Sequence, residues 1–162
     1  MSVRVLGVDP GTSVTGYGVL EPVDGRPGRL LECGVIRTDA RAKLWRRLDV
    51  LYEGLCELIE RHRPTTLALE TAFYGKNVRT TLALGHARGV ILLAAARHDL
   101  DVAEFAPATV KKSVVGRGGA AKAQVGYMVQ RLLHLKEPPT PSDAADGVAV
   151  ALTFLLTEAR ER

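Results

Sequence analysis

Four carboxylates set the chemistry open to this sequence: Asp9, Glu70, Asp143 and Asp146. Each falls where a regular element begins or ends. Asp9 closes the apolar run Val5-Leu6-Gly7-Val8, and Pro10-Gly11 turns the chain immediately afterwards. Glu70 closes a second run of the same design, Thr66-Leu67-Ala68-Leu69. Asp143 and Asp146 stand three apart at the start of the last predicted helix, and so on one face of it. If these ends meet at one edge, four like charges repel strongly in a partly desolvated cluster, and cations relieve that repulsion. The set offers oxygen donors only, with no His or Cys beside it, which selects hard cations such as Mg²⁺ or Mn²⁺. Two ions about 3.5–4 Å apart can activate a water and stabilise the leaving oxygen of an in-line phosphoryl displacement. No Ser-His-Asp or Cys-His set competes for the chemistry. Blander roles exist for the same residues. Asp9 can begin a turn by bonding its own backbone, and an Asp pair in a first helical turn stabilises the helix dipole by about 0.3–1 kcal/mol each.

The elements that would position these groups follow from periodicity. After the Asp9 turn, Thr15–Leu20 alternates with Gly16 and Gly18 on one face, leaving that side of a strand flat. Glu21–Gly28, with two prolines and two glycines, reads as a turn, and Leu30–Thr38 alternates again. Three strands in succession make an antiparallel meander. Leu44, Leu48, Leu51, Leu55, Leu58 and Ile59 then recur at helical spacing up to Pro64, with Arg61-His62-Arg63 favourable at the helix C-terminus. The strand ending at Glu70 returns parallel to the first, so the sheet is mixed. A helix is predicted over Thr80–Arg97. Its Gly85 and Gly89, four apart, read as close packing on the protein's own sheet. A strand (Asp101–Phe105), a short helix opened by Pro107, a glycine turn (Gly116–Gly119) and a helix over Lys122–Leu135 follow. Ser142 is placed as the N-cap of a final helix running to about Glu158.

At 162 residues the chain suits one domain, 1–162, with a full core. Its formal net charge of +4 hints at an anionic partner. The charge is concentrated: Phe105–Lys136 holds no acidic residue, and Lys111, Lys112, Arg117 and Lys122 lie within it. Lys and Arg there would contact phosphates around the metals. Cys33 and Cys56 have no metal-ligand spacing and read as buried free thiols. The longest strongly apolar stretch, Val90–Ala96, is too short to span a membrane. The chain enters a strand directly after Met1-Ser2-Val3-Arg4, so neither a signal peptide nor a membrane partner is expected, and a cytoplasmic location is.

In order and spacing, Gly7-Val8-Asp9-Pro10-Gly11, Glu70-Thr71-Ala72-Phe73, Val114-Val115-Gly116 and Asp143-Ala144-Ala145-Asp146-Gly147 resemble the RuvC family of crossover junction endodeoxyribonucleases. The likeness spans nearly the whole chain. It implies an α/β, RNase H-like (retroviral integrase superfamily) fold with a mixed five-stranded sheet flanked by helices. It implies a homodimer that binds a four-way DNA junction and resolves it by paired symmetric nicks, leaving 5′ phosphate and 3′ hydroxyl ends. Asp9, Glu70, Asp143 and Asp146 would be the catalytic acids holding two Mg²⁺, for which Mn²⁺ could substitute. Phe73 would stack on bases at the junction centre, and Lys111 and Lys122 would sit near the scissile phosphate and backbone. The Gly85–Gly89 helix would join the dimer interface, and a branch-migration helicase complex would be a partner. The chain departs from the family at Thr71, where Gln is frequent, at Ala121, where an acid is frequent, and at Gly147, where Ala is common. Some relatives carry His in place of Asp143. None of these departures removes a carboxylate from this chain.

Three rival readings remain at this level. Asp9-Pro10-Gly11-Thr12-Ser13 also looks like the phosphate loop of sugar kinases and actin-like ATPases, but those need a second domain for which this chain is too short. The others are a DNA-structure binder without catalysis and a nuclease of the same fold acting on an RNA–DNA hybrid.

Overall fold

Alternation along each strand sorts the molecule into two layers around one sheet. The structure, a computed structural model, describes residues 3–71 and 75–161. In chain order it contains β1 (Val5–Asp9), β2 (Val14–Val23), β3 (Arg26–Arg37), α1 (Leu44–His62), β4 (Thr66–Glu70), α2 (Val78–Arg97), β5 (Asp101–Phe105), α3 (Pro107–Val115), α4 (Lys122–Leu132) and α5 (Ser142–Glu161). The strands form one five-stranded sheet in the order β3-β2-β1-β4-β5. β1 pairs antiparallel with β2 and parallel with β4, and β4 pairs parallel with β5, so the expected mixed sheet is borne out.

Leu6 and Val8 of β1, Val19 of β2, and Leu67 and Leu69 of β4 point into a core shared with α1 and α2. The helix stripe read from the sequence supplies its other side, with Leu51, Leu55, Leu58 and Ile59 buried. The intervening residues Val5, Leu20 and Ala68 face a second core, formed with α3, α4 and α5. Because side chains alternate, Gly7 and Asp9 share the face of Val5, and Glu70 shares the face of Ala68. The two strand-end acids therefore project toward α5.

On that face, beside the side chains of Val5, Leu20 and Ala68, glycines let α5 come down onto backbone. A Cβ added at Gly16 would lie 1.8 Å from the Asp143 carbonyl oxygen, and one added at Gly147 would lie 2.4 Å from the Tyr17 Cα. Only glycine permits this approach. Gly16 is the register partner of Asp9 across β1 and β2. The start of α5 is thus seated directly over the strand pair that carries Asp9. From Gly147 to Leu156 α5 is apolar but for Thr153, and Val148, Ala149, Val150, Ala151 and Leu152 are fully buried.

Several predicted boundaries move. The turn expected over Glu21–Gly28 shrinks to Asp24-Gly25, with Gly25 at φ 74°, and both flanking prolines fall within strands. Asp-Gly is a strong two-residue hairpin signal, and register shifts beside Glu21 and Val23 accommodate the prolines. α4 stops at Leu132, three residues early, because His134 adopts φ 55° and the chain folds back, with the Leu135 amide bonding the Gln130 carbonyl at 2.9 Å. Ser142 is the first helical residue of α5, not a residue preceding it, and the helix runs to Glu161. Cys33 and Cys56 are free thiols as expected but only partly buried. Gly85 and Gly89 do not pack on the sheet: among the described residues, nothing lies within 4 Å of a Cβ added at either. No helix among the described residues is long and apolar enough to cross a membrane.

Candidate active site

Asp9, Glu70 and Asp146 line a single cavity of about 210 Å³ together with Lys111 and Lys122. Pro107 and Val110 of α3, Val125 of α4 and Ala149 of α5 complete its wall. The acids come from β1, β4 and α5, and the lysines from α3 and α4. The parallel pairing of β1 with β4 brings their C-terminal ends to one edge, with Val8 opposite Leu69. Asp9 and Glu70 are the next residues along.

The fourth acid joins through a cation. The Lys122 ammonium donates to Asp146 Oδ2 at 3.0 Å and to Asp143 Oδ1 at 3.4 Å, spanning the acid pair at the start of α5. Asp143 itself lies outside the cavity lining. Lys112 and Arg117 also lie outside it. Lys112 is exposed on α3, and Arg117 donates to Gln124 Oε1 at 3.1 Å on the exposed surface. Phe73 is outside the described residues.

Burial and mutual repulsion dominate the electrostatics. Burial, reinforced by the charges of Glu70 and Asp146, pushes the Asp9 carboxyl up to about 8, against a smaller opposing effect of Lys122. Glu70 is pushed up to about 7 by burial and then by Asp146, with Lys111 and Lys122 opposing. Asp146 is raised by burial while its bond to Lys122 pulls the other way. The same bond raises Lys122 and keeps it an ammonium. At neutral pH the cluster therefore retains protons that a stronger cation would displace.

The donor set fits a hard divalent cation: carboxylate oxygens only, around a cavity whose acids are held above their ordinary range by burial and by one another's charge. Among the described residues, no three acidic, His or Cys side chains are drawn around one point as a bound ion would hold them. Lys122 bonds the two acids of α5 instead.

Sequence reasoning missed the supports behind these acids. Thr71, one of the departures from the family pattern, bonds the adjacent strand through both its amide and its hydroxyl, at 2.8 and 3.4 Å from the Phe105 carbonyl. Arg47 of α1 donates to the Thr12 carbonyl and, at 3.3 Å, to Ser13 Oγ, closing the turn that follows Asp9. Arg88 of α2 reaches the Glu70 carbonyl. Such contacts span 18 to 35 residues and leave no periodic signal.

Comparison with known proteins gives one consistent result. The family model "Crossover junction endodeoxyribonuclease RuvC" matches residues 5–154. A protein of that name from Halorhodospira halophila is 50% identical over 149 residues, covering 92% of this chain and 87% of the relative. The structure of Thermus thermophilus RuvC in complex with a Holliday junction substrate superposes with a TM-score of 0.91 at 34% identity, covering 98% of this chain and 96% of that one. The yeast mitochondrial Holliday junction resolvase Ydc2 shares the fold, with a TM-score of 0.73 at 15% identity over 98% of this chain and 80% of that one. The architecture is RNase H-like, as the resemblance implied. This chain belongs to the RuvC family of crossover junction endodeoxyribonucleases.

Proposed function

We propose that this chain is a cytoplasmic endonuclease, a single nuclease domain over residues 1–162, that resolves four-way DNA junctions by paired symmetric nicks. The observation that carries the reading is the meeting of Asp9, Glu70 and Asp146 with Lys111 and Lys122 about one cavity, in a chain of this family.

Asp9, Glu70, Asp143 and Asp146 would hold two Mg²⁺ ions, or Mn²⁺ in their place. When bound, these supply the charge that activates the attacking water and stabilises the departing 3′ oxygen, leaving 5′ phosphate and 3′ hydroxyl ends. The chain's own contribution is positioning and charge. Asp9 and Glu70 stand on strand ends, so the sheet fixes their spacing. Lys111 and Lys122 meet the phosphate approaching the cavity. The apolar wall of Pro107, Val110, Val125 and Ala149 limits the water that can enter. Lys112 and Arg117, exposed beyond the cavity, serve the flanking backbone. Phe73 stacks on bases at the junction centre, a contact worth about 1–3 kcal/mol per base.

Paired nicks require two sites, and we propose a homodimer. Val78, Leu82 and Leu93 of α2 are exposed at 70%, 61% and 53%. They share one side of the helix with Gly85 and Gly89, whose surroundings are open among the described residues. An apolar stripe with small residues at its centre suits a second copy of the same helix. A branch-migration helicase complex would deliver the junction.

The test is Mg²⁺-dependent cleavage of immobile four-way junctions with several core sequences, beside a linear duplex and an RNA–DNA hybrid. Symmetric nicks on junctions alone support the reading. Binding without cleavage on every core, with Mn²⁺ as well, makes the chain a structural DNA binder. Cleavage of the hybrid keeps the metal chemistry and replaces the substrate.

A further inference from the structure

β4 ends at Glu70, and Thr71 follows it directly. The Glu70 side chain lines the cavity on the α5 side of the sheet. Its carbonyl is reached from the other layer, where Arg88 of α2 brings Nη1 within 3.4 Å of it. The same guanidinium pairs through Nη2 with Glu104 on β5. The Arg88 side chain is only 20% exposed. One residue thus joins three elements: the helix α2, the end of β4 and the neighbouring strand β5.

The chemistry of the group suits that task. A guanidinium is always charged and presents its donors in a rigid planar fork, so it can serve a carbonyl and a carboxylate at once. A lysine's compact ammonium, on a flexible stem, lacks the planar fork that sets the directions of both bonds. Fixing the Glu70–Thr71 peptide plane fixes the backbone dihedral from which the Glu70 side chain departs. The Thr71 bonds to the Phe105 carbonyl secure the far side of that same peptide. Arg88 also lies between Gly85 and Gly89 in sequence, on the helix whose open side carries the apolar stripe.

We propose that Arg88 is a positioning residue: by holding the Glu70 carbonyl and Glu104 together, it fixes the end of β4 and keeps the Glu70 carboxylate aimed into the cavity. It thereby ties that acid to α2. The inference rests on the nuclease reading of the cavity for its effect on rate, but not for the anchoring itself.

The experiment uses the full chain with Arg88→Met, Arg88→Lys and Glu104→Gln. Junction affinity is read by gel shift, the cleavage step by single-turnover rate at saturating protein, and folding by melting temperature. Anchoring is read without DNA, as amide hydrogen exchange at Thr71. Arg88→Met is expected to bind junctions within about twofold of the parent yet cleave about 30-fold more slowly, a loss in line with small misplacements of catalytic groups. Arg88→Lys does not rescue it. Glu104→Gln keeps an acceptor oxygen and retains the rate within about threefold, a split that a general loss of stability would not produce. Thr71 exchange accelerates in Arg88→Met. A wild-type cleavage rate in Arg88→Met, or a loss fully restored by cooling below its melting transition, overturns the proposal. If the parent cleaves no junction at all, the nuclease reading fails, and unchanged Thr71 exchange in Arg88→Met then overturns the anchoring separately.

Discussion

The two faces of the sheet are built on different rules. Toward α1 and α2 the strands present large aliphatic side chains, Leu6, Val8, Leu67 and Leu69, all fully buried. Toward α5, beside Val5, Leu20 and Ala68, they present Gly7, Gly16 and Gly18, where the helix lies against bare main chain. The first face stabilises the fold by apolar area removed from water, and its geometry can relax when a side chain changes. The second face sets a distance. It fixes how far Asp143 and Asp146 stand from Asp9, and backbone in contact with backbone has little room to yield. The spacing of the acids should therefore be sensitive to glycine on one face, and overall stability to leucine on the other.

Four substitutions probe that contrast, in decreasing order of their effect on cleavage. Asp9→Asn should lower single-turnover cleavage by more than about 10³-fold, a loss above about 4 kcal/mol of transition-state stabilisation. Gel shifts should show junction binding unchanged or tighter, because a negative charge is lost; equal loss of both would count against a metal-holding role. Gly16→Ala should lower cleavage about 100-fold through displacement of α5, at a stability cost of about 1–3 kcal/mol by urea unfolding. Lys122→Ala should slow cleavage by about tenfold and flatten the salt dependence of junction binding. Leu69→Ala should reverse the pattern, costing about 2–5 kcal/mol in urea while cleavage below its melting transition stays within about threefold of the parent. If Gly16→Ala and Leu69→Ala behave alike, the distinction between the faces is wrong.

Stability against pH sharpens the same contrast. A carboxyl whose folded pKa lies above its unfolded value binds more protons in the folded state between the two values. Stability then falls as pH rises through that window. For Asp9 the window runs from an unfolded value of about 3.9 to about 8, and for Glu70 from about 4.3 to about 7. The cation-free protein should thus lose stability between pH 4 and 8. Asp9→Asn, in contrast, should melt about 5 °C higher than the parent near pH 8, with the gain vanishing near pH 4. Added Mg²⁺ should restore the parent at high pH and have little effect at low pH.

Much of the site was legible in the sequence because its signals are local. An apolar run closed by a carboxylate, twice over, announces Asp9 and Glu70, and helical spacing puts Asp143 and Asp146 together. The glycine alternation at Gly16 and Gly18 announced a flat face. What the sequence could not convey was direction and long-range contact. Lys111, Lys112, Arg117 and Lys122 look alike as a basic run, yet of these only Lys111 and Lys122 line the cavity, because Lys112 is exposed on α3 and Arg117 sits in the turn between α3 and α4. The spacing of Gly85 and Gly89 marked a close-approach surface without saying that it faces outward. Arg47 and Arg88 carry no periodic mark, since their partners lie on other elements. The hairpin misjudgement has another cause: Pro22 and Pro27 masked the Asp24-Gly25 turn between them.

The order of elements has a consequence for synthesis. Asp9 lies on the first strand and Asp143 and Asp146 on the last helix, and these two elements pack directly on each other. During translation, Asp9 leaves the ribosome long before the acid pair has been made. No growing chain that stops short of α5 can assemble the set of four acids. On the proposed reading the acid set is thus split between β1 and α5, so a product truncated before α5 would carry Asp9 and Glu70 without the pair that completes the set.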